Sequence, residues 1–182
     1  MRILGIDPGS RATGYGVIES RGGRLDHVAH GIIRPSAKIS LARRLECIHR
    51  GVLEAAEQHR PDIAAVELVF TAVNPRSALI LGQARGAALT ALGAMGLDVF
   101  ELAAREVKQA VVGTGGAEKA QVQAMVMRLL SLDSTPPSDA ADALAVAISQ
   151  ANAGRLKDLG VRTRASRRRG MRGATHLLED RR

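Results

Sequence analysis

The stretch Arg2 to Glu19, RILGIDPGSRATGYGVIE, constrains this chain most, because a lone carboxylate, Asp7, closes an apolar run that otherwise belongs in a core. Ile3, Leu4 and Ile6 suit a central strand. Pro8-Gly9-Ser10 breaks it as a turn, and Thr13 to Ile18 alternates small, aromatic and β-branched residues as a returning antiparallel strand does. Asp7 is therefore expected at a strand end. A charge there is costly unless it is paired, hydrogen-bonded or bound to a cation. Asp7 is thus either a turn-capping aspartate or the first ligand of a site.

At 182 residues the chain has room for one domain with a substantial core. Hydrophobic residues make up 46% and aromatics only 2%, so that core is built of Ala, Leu, Val and Ile. The single cysteine, Cys47, lies in a helical apolar pattern and reads as a small hydrophobe, which excludes a disulfide framework and suits a reducing compartment. The N-terminus enters a strand directly and no apolar run approaches bilayer length, so a soluble, cytoplasmic protein is expected. The net charge of +8 is concentrated at one end. From Gly154 to Arg182 ten Lys and Arg face three acids, a net of +7, leaving +1 for residues 1 to 153. The high charge is therefore a property of the tail, and any polyanion site on the body must rest on placed residues. The arginine-rich tail, 154–182, is expected to be disordered when free and to attract DNA nonspecifically, following a folded body of residues 1–153.

Along the chain, a third strand is expected at Arg24 to Ile33 and a helix from Leu41 to near His59, with Leu45, Ile48, Val52, Leu53 and Ala56 at helical spacing. Ile63 to Val66 is a run suited to a strand covered on both faces, and it ends in Glu67. A helix over Arg76 to Met95, a strand over Leu97 to Glu101, a short helix over Ala104 to Val112 and a helix over Glu118 to Leu130 follow. A last helix starts at Pro136-Pro137-Ser138 and runs to about Asn152. The order βββαβαβααα implies an α/β fold, a mixed five-stranded sheet flanked by helices. Histidines 27, 30, 49, 59 and 176 show no zinc spacing, and His27 and His30 are expected on opposite faces of their strand.

The last helix opens Ser138-Asp139-Ala140-Ala141-Asp142, with its aspartates at i, i+3 beside the apolar Ala143 and Val146. Acids in a first turn can simply complement the helix dipole. Together with Asp7 and Glu67, however, they make four carboxylates in apolar surroundings on three separate elements. An all-oxygen cluster of this kind is stabilised by a hard divalent cation such as Mg²⁺ or Mn²⁺. Two such ions about 4 Å apart activate water and stabilise the leaving oxygen of a phosphodiester. The chemistry inferred is metal-assisted phosphoryl hydrolysis.

The motifs GIDPGSRATGYGVI, VELVF, SALILGQARGAAL, AAREVKQAVVGTGGAEKAQVQ and SDAADALAVAI, in this order over residues 2 to 150, closely resemble the RuvC family of Holliday-junction resolvases. The resemblance implies a ribonuclease H-like fold with catalytic, metal-binding acids at Asp7, Glu67, Asp139 and Asp142. It also implies a homodimer that nicks two strands of like polarity in a four-way DNA junction during recombination and repair, using Mg²⁺, with a branch-migration motor as partner. Phe70 matches the family's base-stacking aromatic, and Lys108 and Lys119 match its DNA-contacting lysines. Without the match, Phe70 would read as a core residue and the lysines as surface groups. The helix from Arg76 to Met95 matches the family's dimer helix, where Gly82, Ala84, Gly86 and Ala87 permit close approach.

Three rivals are weaker. A nucleotide-binding ATPase would need a second lobe and a second phosphate loop; the loop at Gly113 to Gly116 is not a Walker A motif, because Glu118 stands where that motif requires glycine. A junction-binding module without cleavage would be expected to lack one or more of the acids. A ribonuclease for RNA–DNA hybrids would leave the matches at Phe70, Lys108 and Lys119 unexplained.

Overall fold

The computed structural model describes residues 1–68 and 74–158, with the backbone alone for 156–158. Three strands, β1 (Arg2–Asp7), β2 (Thr13–Arg21) and β3 (Arg24–Ile33), precede α1 (Leu41–His59), β4 (Ile63–Leu68) and α2 (Pro75–Ala94). Then come β5 (Asp98–Ala103), α3 (Ala104–Val112), α4 (Lys119–Leu129) and α5 (Ser138–Asp158). The strands form one sheet in the order β3-β2-β1-β4-β5. The β1–β2 and β2–β3 pairs are antiparallel, and β4 and β5 add in parallel. The expected element order is what the chain adopts, and β1, whose four inner residues are buried, occupies the centre.

Two cores result from the strand period of two. Leu4, Ile6, Val17, Ala64 and Val66 face Ile48, Val52 and Ala56 of α1 and Ala84, Ala88, Ala91 and Leu92 of α2. On the other face Ile3, Ile18, Ala65 and Leu102 pack against α3, α4 and the apolar side of α5. Helix starts are capped locally. Ser40 Oγ accepts the Arg43 N–H at 3.4 Å, and Asn74 Oδ1 accepts that of Arg76 at 2.9 Å, with Pro75 opening α2. The N–H of Glu118 donates to Gln121 Oε1 at 2.8 Å at the start of α4.

Two sequence expectations change. Helix α5 continues to Asp158 rather than ending near Asn152, so the first five residues assigned to the tail are helical; the remainder of the tail lies outside the described residues. His27 and His30 lie on one face, not two, with His27 Nε2 and His30 Nδ1 2.8 Å apart. The cause is a bulge: Val17 pairs with Ala29 but Ile18 with His27, so Val28 is an extra residue that resets the alternation.

Candidate active site

Strand pairing places the first two acids. Ile6 pairs with Val66, so Asp7 and Glu67, each one residue further on, stand side by side at the ends of neighbouring parallel strands, roughly 4.8 Å apart in backbone spacing. Each shares a face with the residue two before it, Gly5 and Ala65, and this is the face that α5 covers. The turn behind Asp7 is tied shut by the wholly buried Thr13. Its hydroxyl donates to Gly9 O at 2.8 Å and accepts the Gly9 N–H at 3.3 Å. One side chain thereby satisfies both backbone groups of the residue that turns the chain away from Asp7.

Glycines bring the other two acids down. Gly14 pairs with Asp7 across the sheet, and a Cβ on Gly14 would run into the backbone carbonyl of Asp139. A Cβ on Gly5 would meet the carbonyl of Ala143 in the same way. Helix α5 can therefore lie directly on the strands, with Ala140, Ala143 and Ala147 wholly buried. Its first turn, carrying Asp139 and Asp142, lands over the strand ends. Upstream, Gln123 Nε2 donates to Pro136 O at 2.7 Å, fixing the approach to that turn.

Electrostatics show the four acids acting on one another. The Asp7 carboxyl is pushed up from 3.8 to about 8, first by burial and then by Glu67, Asp142 and Asp139, with Lys119 opposing. Burial, and then Asp142, also raises Glu67 above its usual range, against the pull of Lys108 and Lys119. Both lysines singled out in the sequence thus reach the cluster. Lys119 Nζ is 2.8 Å from Asp142 Oδ2, and that hydrogen bond, more than any other effect, holds the ammonium above its ordinary value. Phe70 lies outside the described residues.

The donor set is all carboxylate, and protonation of Asp7 at neutral pH marks a cluster short of positive charge, so the residues suit hard divalent cations. Among the described residues, no three His, Cys, Asp or Glu side chains are gathered into a finished coordination sphere. Asp142 is turned to Lys119 instead. Cavities of 290 and 680 Å³ lie elsewhere, against α1 and against the β2–β3 hairpin, and none of the four acids lines either. The cluster lies at the ends of β1 and β4, under the first turn of α5.

The structure brings together the four acids named from the sequence and sets beside them the two lysines named by resemblance; Thr13, whose role depends on a hydroxyl reaching back four residues, was not singled out. The Thr-Gly pair straight after the turn was the available signal.

Comparison with known proteins agrees with this geometry. The family model described as crossover junction endodeoxyribonuclease RuvC matches residues 3–150. A protein of that name from Cupriavidus metallidurans is 58% identical over 154 residues, covering 85% of each chain. Among solved structures, Thermus thermophilus RuvC in complex with Holliday junction substrate is similar with a TM-score of 0.81 and 35% identity, over 88% of this chain and 97% of that one. The yeast mitochondrial Holliday junction resolvase Ydc2, at 11% identity and a TM-score of 0.63, shares the fold over 86% of this chain and 83% of its own. With acids from β1, β4 and α5 meeting at one edge of a mixed sheet, and with these matches over most of its length, the chain belongs to the RuvC family of crossover junction endodeoxyribonucleases.

Proposed function

We propose that this chain is a structure-selective DNA endonuclease that resolves Holliday junctions by metal-dependent phosphodiester hydrolysis. The observation that carries the reading is the convergence of four carboxylates from three elements, with two lysines beside them, at one edge of the sheet. In this reading Asp7, Glu67, Asp139 and Asp142 hold two Mg²⁺ ions, for which Mn²⁺ can substitute. When bound, such ions supply an activated water and charge neutralisation at the scissile phosphate. The protein's own part is positional. The ends of β1 and β4 fix Asp7 and Glu67, and the glycine bed under α5 sets the height of Asp139 and Asp142. Lys108 and Lys119 draw the phosphate toward the acids and offset its negative charge. Lys119 exchanges Asp142 for a phosphate oxygen as DNA arrives. Phe70, by family resemblance, stacks on junction bases.

Symmetric nicking of two strands of like polarity requires two sites related by a two-fold axis, so the working form is proposed to be a homodimer. Helix α2 supports this. Its outer side leaves open space beside Gly82, Gly86 and Gly93, next to a Leu79 that is 66% exposed. Such a surface admits close approach of a second helix. A branch-migration motor is proposed as a further partner from the family resemblance. Among the described residues no helix is long and apolar enough to cross a membrane, and a cytoplasmic location is proposed.

The test is cleavage of a mobile four-way junction beside a linear duplex of the same sequence, with Mg²⁺ or with chelator. Paired nicks at symmetric positions in the junction alone, lost with chelator, are expected. Binding without nicking would favour a junction-binding module. Equal cutting of the duplex would remove the structure selectivity.

A further inference from the structure

The charge of the folded body is small in sum but unevenly placed. Residues 34–44, RPSAKISLARR, hold four cations and no acid. Ile33, the last residue of β3, pairs with Thr13, while Asp7 pairs with the adjacent Gly14. The chain therefore leaves β3 at the same edge of the sheet as the acids, then turns into α1 on the face opposite α5. Arg34, Lys38 and Arg43 are exposed, and Arg44 is partly buried. Among the described residues none of the four has a carboxylate within ion-pair distance. Other surface cations do: Arg21 bonds Glu19, Arg24 bonds Asp26, and Arg50 of α1 reaches both Glu46 and Glu54. At the opposite end of the strands Glu19 and Asp62 flank Arg2, and Asp98 begins β5.

We infer that the segment Arg34 to Arg44 is a second DNA-contacting surface, which holds the phosphates of a duplex arm on the α1 side of the active site. Duplex DNA presents a charge about every 1.7 Å along its axis, so strand continuing past the scissile phosphate must be met by something. Lys108 and Lys119 serve the side that α3 and α4 cover. On the opposite side, among the described residues, the cations of this segment, Arg11 of the β1–β2 turn and Arg76 at the start of α2 are without acid partners. The first turn of α1 carries no acid to repel a phosphate, and Arg43 lies within it. The inference rests on the nuclease reading above, since it takes its substrate from it.

The test compares Lys38→Gln/Arg43→Gln with the wild type and with Arg50→Gln, a cation on the same helix that is already paired. Junction binding is measured in chelator across a range of salt concentrations. Each lost phosphate contact lowers the slope of log K against log salt by roughly 0.9. Because both subunits of the homodimer carry the changes, the double variant is expected to lose roughly 3.6 units of slope and to bind roughly a hundred- to ten-thousandfold more weakly at 0.1 M salt, with Arg50→Gln matching the wild type. An unchanged slope in the double variant would overturn the inference. So would an equal loss in Arg50→Gln, which would assign the effect to total charge. Arg34→Gln/Lys38→Gln, read in the same way, replaces the first pair should that pair fail to fold by circular dichroism. Nicking of the same junction by the wild type with Mg²⁺ separates the two readings. No nicking sinks the nuclease assignment, whereas normal nicking with unchanged slopes sinks only the second surface.

Discussion

Replacing Asp7 with asparagine should make this protein more stable, not less, when measured in chelator. In the fold the Asp7 carboxyl keeps its proton up to about pH 8, whereas a solvated aspartate releases it near 3.8. The folded state therefore binds more protons than the unfolded state between those values. By linkage the stability contribution falls as pH rises through this window and levels off above about 8. Below about pH 4 both states are protonated and the term vanishes. Each unit of pH is worth about 1.4 kcal/mol, so by pH 7 the cost reaches about 4 kcal/mol as an upper limit. Coupling of Asp7 to the likewise raised Glu67 brings the expected value to about 2 to 4 kcal/mol. Asparagine carries the neutral form at every pH and escapes the cost. Urea unfolding of wild type and Asp7→Asn from pH 5 to pH 8.5 should give curves that diverge with rising pH, the variant gaining about 2 to 4 kcal/mol near neutrality. Mg²⁺ should restore wild-type stability and leave the variant little changed, since only the wild type keeps its full set of ligands. Parallel pH profiles, or a wild type that gains stability as pH rises, would refute the reasoning.

Three other perturbations follow from the same geometry. Thr13→Val leaves the N–H and C=O of Gly9 unpaired and should cost about 1 to 3 kcal/mol in thermal or urea unfolding, with Thr13→Ser recovering most of the loss because it keeps the hydroxyl. Gly14→Ala drives a methyl against the Asp139 carbonyl. It should destabilise by about 1 to 3 kcal/mol and lower cleavage in the remaining folded protein, because α5 lifts its two acids away from Asp7; full nicking activity at normal stability would contradict this. Lys119→Met removes the ammonium bonded to Asp142. Calorimetric titration with Mn²⁺ in the absence of DNA should then show tighter binding, while cleavage of the junction falls.

The course of the fold was legible wherever one residue's neighbours along the chain decide its state. The apolar run ending at Asp7, the β-branched run ending at Glu67 and the helical spacing of Ile48, Val52 and Ala56 each carried their own signal. The acids could be found because a carboxylate in such surroundings is expensive wherever the chain goes. What escaped depends on pairing in space. The bulge that turns His27 toward His30 exists only because β2 and β3 slip by one residue. The reach of α5 beyond Gly154 could not be read from a stretch that looked like the start of a basic tail. The unpaired cations between Arg34 and Arg44 vanish in a sum over residues 1 to 153, and they become visible only once Glu46, Glu54 and Asp26 are seen to be engaged elsewhere.

The measurement closest to the central claim is single-turnover cleavage of a four-way junction at saturating protein by Asp7→Asn, Glu67→Gln, Asp139→Asn and Asp142→Asn, with junction binding recorded alongside. If the four acids work as one metal-binding cluster, each substitution lowers the rate by more than about a hundredfold while the protein still binds the junction. An acid whose replacement leaves the rate within a few-fold of wild type would stand outside the cluster, and a site assembled from β1, β4 and α5 would then be the wrong description of this enzyme.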